Sequence, residues 1–121
     1  MSDAPWPTDL TYSRSKRILS VTFDNGERYD LPAELLRVES PSAEVQGHGP
    51  GQKQTVAGKE NIAIERIEPV GRYAVRIVFN DGHNSGLYTW GYLHSMGQNR
   101  ETLWSDYLAA LSAKGLSRKQ G

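Results

Sequence analysis

The chain predicts an α+β fold: an antiparallel, meander-like β-sheet built from hairpins, with short helices and a C-terminal helix packed on it. Three observations carry this. Two apolar alternations, Leu19-Val21-Phe23 and Tyr73-Val75-Ile77-Phe79, each run into a tight-turn signal, Asp24-Asn25-Gly26 and Asn80-Asp81-Gly82. Asn and Gly accept the positive φ that such turns require. Past the second hairpin the spacing becomes helical, with Leu103, Tyr107 and Leu111 joined by Trp104 and Leu108 on one broad face. Strands grouped in hairpins, followed by a helix, imply an antiparallel sheet with helices on it.

The elements follow in order. Residues 1–9 hold Pro5, Pro7, Asp3 and Asp9 and read as a flexible arm, with Trp6 either docked or solvated. A single domain spans 10–115, and 116–121 read as a flexible tail. Strand character begins at Leu10 and Tyr12 and resumes at Ile18 to Phe23. The return strand is short, Arg28 to Leu31. Pro32 opens a helix over Ala33 to Val38, where its missing N–H costs nothing. Residues 39–60, with Gly47, Gly49, Pro50 and Gly51, read as a long surface loop. Ile62, Ile64, Ile67 and Val70 form the next strand, turned by Gly71. The strand from Tyr73 to Phe79 is apolar on both faces (Ala74 and Val78 as well as Val75 and Ile77) and so is central. Gly86 to Tyr88 returns, and Thr89 or Trp90 opens a helix that Gly97 stops. Asn99 caps the last helix, which ends near Lys114 at Gly115. A weak repeat runs through this plan. Val21-Thr22-Phe23-Asp24-Asn25-Gly26 with Leu31 matches Ile77-Val78-Phe79-Asn80-Asp81-Gly82 with Leu87 at a constant offset, read either as a duplication or as shared hairpin chemistry.

Composition narrows the function classes. The 121 residues fit one domain, and 14 basic against 14 acidic residues leave no field that would draw the chain to nucleic acid or anionic lipid. There is no cysteine, which excludes disulfides, thiolate metal sites and cysteine nucleophiles and fits a reducing compartment. No apolar run reaches the roughly 20 residues that span a bilayer. The first residues lack a charged-then-apolar signal pattern. The expectation is a cytoplasmic protein with no membrane partner and no nucleic-acid partner.

Three blocks resemble the gamma-butyrobetaine hydroxylase-like N-terminal domain family. They are Phe23-Asp24-Asn25-Gly26 through Leu31-Pro32-Ala33-Glu34-Leu35-Leu36-Arg37; Ser40-Pro41-Ser42-Ala43-Glu44-Val45-Gln46-Gly47-His48-Gly49; and Tyr73 to His83 through Leu87-Tyr88-Thr89-Trp90. Together they cover about residues 10–97. The resemblance implies three settings for such a domain: an N-terminal module of 2-oxoglutarate-dependent carnitine-pathway hydroxylases, an attachment to P-loop ATPases of the iron–sulfur cluster carrier type, and a stand-alone bacterial protein of unknown function. This chain looks like the third. In the hydroxylase members the resemblance implies a zinc ion held by three cysteines and one histidine. The histidine falls at His83, and the cysteines fall near Ser40, Ser42 and Val45, where this chain has none. A thiolate site needs sulfur at about 2.3 Å, and serine hydroxyls stay protonated near neutral pH. The expectation is therefore no structural zinc.

The candidate residues each admit two readings. His83 is either a metal ligand, for zinc or iron, with His48, His94, Glu44 or Asp81 as companions, or a structural histidine bonded to turn backbone and packed on Trp90 or Tyr88. Gly47-His48-Gly49-Pro50-Gly51 is either an anion cradle of backbone N–H groups or a mobile loop, and Pro50 removes one donor. The rings of Tyr73, Tyr88, Trp90, Tyr92, Trp104 and Tyr107, with Arg72, Arg76 and Arg100, are either a stacking platform or core and helix-docking groups. Catalytic signatures are poor. No His-x-Asp follows any histidine, Ser85 lies outside Gly-x-Ser-x-Gly, and Asp81, His83 and Ser85 share one turn. The basic end, Lys114 to Lys119, reads as solvated. The leading expectation is a non-enzymatic binding or adaptor domain that meets a protein partner through His48, Glu44, Trp90 and Tyr92. The iron–sulfur cluster assembly machinery is the partner that the resemblance implies. The alternative is a metal-binding domain linked to iron–sulfur handling. Monomer and dimer are both consistent with the sequence.

Overall fold

The computed structural model describes residues 5–47, 49 and 51–119. Two three-stranded antiparallel sheets form, each a simple meander. The first comprises β1 (Pro7–Ser13), β2 (Ile18–Phe23) and β3 (Arg28–Pro32). Helices α1 (Ala33–Val38) and α2 (Ala43–Gln46) follow. The second sheet comprises β4 (Ile64–Val70), β5 (Ala74–Phe79) and β6 (Leu87–Thr89), and α3 (Trp90–Gln98) and α4 (Arg100–Ala113) complete the chain. The expected meander is thus divided, because α1, α2 and the segment from 47 to 63 separate β3 from β4. Among the described residues, no helix is long and apolar enough to cross a membrane.

Alternation decides the faces. In β2, Leu19, Val21 and Phe23 are buried while Ile18, Ser20 and Thr22 are not. In β5 only Arg76 escapes full burial, as expected for the central strand of its sheet. Leu19, Val21, Phe23 and Leu31 join Ile77, Phe79, Tyr88 and Leu93 in one apolar core that also takes Leu35, Leu36 and Met96. A single continuous core of this kind is the main source of stability for a domain of this size.

The sequence repeat has a structural counterpart. Adding its 56-residue offset to Ile18–Phe23 lands on Ala74–Phe79, the full span of β5. The two turns are superposable in their bonding. Phe23 N donates to Glu27 O (2.8 Å) and Gly26 N to Phe23 O (3.0 Å), while Phe79 N donates to His83 O (3.0 Å) and Gly82 N to Phe79 O (3.1 Å). Gly26 and Gly82 take φ of 90° and 91°, a conformation that glycine adopts without strain. Both first strands carry an irregularity near their start, between Pro7 and Asp9 and between Ile64 and Arg66. Both helix entries are tied the same way, Ala33 N to Arg17 O and Trp90 N to Tyr73 O.

Four local readings are corrected. β1 opens at Pro7, inside the stretch assigned to the arm, and Trp6 O accepts from Asp24 N. The residues past Gly115 are not a free tail at Ser117 and Arg118, whose carbonyls accept from Gly58 N and Glu60 N. Gly97 lies within α3 and does not stop it. Asn99 stands between the helices, but its side chain donates back to Ser95 O (2.9 Å) in the last turn of α3 and does not cap α4.

Gly97 owes its identity to packing. A Cβ there would overlap the ring of Tyr29 on β3. Helix propensity alone predicts that Gly97→Ala stabilises by about 1 kcal/mol. The overlap with a half-buried ring predicts a cost of about 1–3 kcal/mol, and it decides the sign. Gly97→Ala is expected to lower the melting temperature by several degrees in a circular-dichroism melt; an increase would show that Tyr29 yields freely.

Candidate functional site

The second turn places His83 against the chain that follows α1. Its side chain is only 2 % exposed. Nε2 lies 2.9 Å from Ser40 Oγ, and Nδ1 lies 3.1 Å from Glu44 Oε2. Ser40 is fully buried and accepts from Ser42 N (3.3 Å). Ser42 caps α2 by accepting from Glu44 N (3.2 Å), and its hydroxyl meets Ser85 Oγ at 2.7 Å. Gln46 Nε2 donates to Ser40 O (2.9 Å), which closes α2 onto the same segment. Gly86 lets the chain before β6 approach the segment after α1, since a Cβ there would overlap Ser40 Oγ.

Asp81 organises the turn from the other side. Its Oδ1 accepts from His83 N (3.0 Å), and its Oδ2 receives Arg37 Nε (2.8 Å) and Lys59 Nζ (2.7 Å). Burial alone would raise its carboxyl, but the bonds from Lys59, the His83 backbone and Arg37 outweigh that and hold it at about 2. His83 moves down from 6.5, chiefly because burial disfavours the imidazolium and then because Arg37 repels it; Glu44 and Asp81 oppose both effects.

A neutral His83 fixes its own tautomer through these partners. Nδ1–H donates to the Glu44 carboxylate, and Nε2 accepts from the Ser40 hydroxyl. The order hydroxyl, imidazole, carboxylate is the arrangement that activates a serine nucleophile. Here the hydroxyl is sealed: Ser40 has no exposed surface, and neither it nor His83 lines the five surface cavities of about 220–430 Å³ around Tyr29, Trp104, Ser20, Tyr107 and Tyr12. The same bonds bear on metal. Ser40 and Ser42 do converge on His83 and Val45 is buried nearby, but the donors are hydroxyls and an isopropyl group. The imidazole lone pair already accepts a hydrogen bond. This set does not fit the zinc that the family resemblance implies. Among the described residues, no group of three or more His, Asp or Glu side chains is arranged to hold a metal ion.

The other candidates fall elsewhere. His48 lies outside the described residues. The Glu44 side chain is 70 % exposed apart from its bond to His83. Trp90 and Tyr92 are half-buried, and each commits its polar atom to backbone, Trp90 Nε1 to Arg72 O (2.8 Å) and Tyr92 OH to Glu39 O. His94 sits at the first turn, 2.9 Å from Glu27 Oε1 and edge-on to Phe23 and Tyr29. Arg76 pairs with Glu68 and Arg100 donates to Asp30 O, while Tyr88 and Tyr107 are core. The same-turn trio does not assemble, since Asp81 bonds the His83 backbone and Ser85 bonds Ser42. Sequence reasoning missed Ser40 as the partner of His83. The signal was the resemblance itself, which puts a cysteine ligand near Ser40 and the histidine ligand of the same ion at His83.

Three comparisons bear on kinship. The family model described as gamma-butyrobetaine hydroxylase-like, N-terminal, matches residues 10–94. Two proteins solved by NMR in solution are similar over nearly the whole chain. One is 48 % identical with a TM-score of 0.86, covering 99 % of this chain and 89 % of the other. The second is 42 % identical with a TM-score of 0.84, covering 98 % and 93 %. A crystal structure from Acidithiobacillus ferrooxidans, of a protein with unknown function in the DUF971 family, is 34 % identical with a TM-score of 0.67, covering 80 % of this chain and 98 % of that one. No curated protein matches.

The lowered His83 value sets a pH dependence. The unfolded chain binds this proton more readily than the folded one, so the stabilisation is complete above about pH 6.5 and diminishes as pH falls through the window below it. Asp81 acts separately, lost only as pH falls from 3.8 toward about 2. Melting temperature is expected to fall between about pH 7.5 and 5.5, and His83→Gln is expected to flatten that slope relative to the native chain. An unchanged slope in calorimetric melts would mean that His83 is protonated without cost.

Proposed function

The chain belongs to the gamma-butyrobetaine hydroxylase-like N-terminal domain family, and from that premise we propose that it is a non-catalytic, cytoplasmic protein-binding module that works without a metal ion. One observation carries this reading. The group with the most reactive arrangement, Ser40–His83–Glu44, is closed at its hydroxyl and imidazole: the Ser40 hydroxyl is buried and the His83 lone pair is taken, so that only the Glu44 carboxylate meets solvent. What faces solvent is the outer side of Glu44 on α2 and the neighbouring exposed residues 51–54. Loops held by a rigid base are where binding groups concentrate. The base here is rigid, since Gln54 N donates to Val45 O (2.7 Å) and Lys53 Nζ reaches the buried carboxylate of Glu39 (2.6 Å).

The partner class is an iron–sulfur cluster assembly protein, in keeping with the attachment to P-loop cluster-carrier ATPases that the family resemblance implies. The reading as a metal site has no donor set in its favour among the described residues.

Titration of the native protein with a purified cluster-carrier ATPase tests this by calorimetry. Saturable binding is expected, weakened about fivefold by Glu44→Gln, which keeps an acceptor for His83 and removes only the charge. No heat at about 100 μM of either protein, or equal affinity for the variant, would overturn the assignment of this surface.

A further inference from the structure

On a separate face, the segment past α4 crosses α1 and ends in a contact that nothing above accounts for. Arg118 Nε and Nη2 donate to Glu34 Oε2 and Oε1 at 2.9 and 2.8 Å, a two-bond fork. Its Nη1 lies 3.8 Å from Glu60 Oε2, and the guanidinium carbon stands 4.9 Å above the centre of the Trp104 indole. A carboxylate fork, a second carboxylate and an aromatic face are the components of a guanidinium receptor. The Glu34 side chain is only 7 % exposed. A carboxylate so buried requires a cation beside it, whichever molecule supplies one. Beside the guanidinium lies an open cavity of about 350 Å³, lined by Pro32, Leu35, Arg100, Glu101 and Trp104 as well as Glu34.

The occupant is held less firmly than the site. Glu34 is fixed by a helix and Trp104 by α4, whereas Arg118 belongs to an irregular segment beyond the left-handed Gly115, with Leu116 41 % exposed. Two backbone bonds tie the strap to the 58–60 segment, Gly58 N to Ser117 O and Glu60 N to Arg118 O, and Leu116 N donates back to Leu111 O. Such segments open locally at a small fraction of the cost of unfolding.

We infer that Glu34, Glu60 and Trp104 form a binding site for the arginine side chain of a partner polypeptide, and that Arg118 fills it in cis until displaced. The planar fork selects guanidinium over ammonium. The tethered Arg118 competes at an effective concentration in the millimolar range, so the site is masked in the native chain and opens when Arg118 is removed.

The test follows the Trp104 indole N–H by NMR during titration with N-acetyl-arginine methylamide, and with the lysine analogue as control. In Arg118→Ala, saturable arginine binding at least about tenfold tighter than in the native protein is expected. Weaker binding of lysine, and loss of binding when Glu34→Gln is added, are expected too. A cooperatively folded Arg118→Ala variant that ignores the arginine probe, or that binds both probes equally, overturns the inference. Should that variant fail to fold, the native chain supplies the decision. Faster hydrogen exchange at the Glu60 amide with rising arginine probe supports displacement, and exchange unchanged to about 100 mM overturns it.

Discussion

The burial of His83 is the constraint on which the second half of the molecule depends. A half-polar ring placed in an apolar interior must have both nitrogens satisfied, or it costs more than its packing returns. The sequence meets this by bringing Ser40 to one nitrogen and Glu44 to the other, from a segment about 40 positions earlier. Ser42 extends the chain of bonds to Ser85 and starts α2 at the same time. One turn, one short helix and the exit from α1 are therefore positioned by a single set of hydrogen bonds, with Arg37, Lys59 and Asp81 neutralising the charge around it.

A counterpart exists at the other turn. Glu27 occupies the place of His83 in the first hairpin and bonds His94 of α3, just as His83 bonds Glu44 of α2. In each half, the residue after the turn glycine reaches a helix that belongs to the other half. Tyr88 repeats the exchange, since β6 supplies the ring and α1 supplies the carbonyl of Leu36 that accepts its hydroxyl. The apolar core is shared in the same manner, with Phe23 and Phe79 both within it.

The features legible in the sequence were those written locally. β2 and β5 could be read because alternation and a glycine turn lie side by side in the chain, and the family could be read from its blocks. The rest depended on distant neighbours. Gly97 looked like a helix stop because nothing nearby announces that Tyr29, from β3, occupies the space above it. Asn99 has the chemistry of a cap, but α3 runs so directly into α4 that its amide finds Ser95 instead. Ser40 carries no local sign of its histidine, and only the family's ligand positions bring the two together, while Arg118 looked solvated because the buried carboxylate that binds it is 84 positions away. Trp90 and Tyr92 were read for their outward edges, while their polar atoms turned out to anchor backbone.

The exchange of turns between halves has a consequence for how the chain reaches this state. Neither meander with its own helices is a complete unit, because each leaves a polar turn residue and part of its apolar face for the other to cover. Contacts spanning 40 to 70 positions must close before either half gains its full stabilisation. Folding is thereby made cooperative over the whole length, and a polypeptide cut between the two sheets would yield fragments that depend on reassociating with each other.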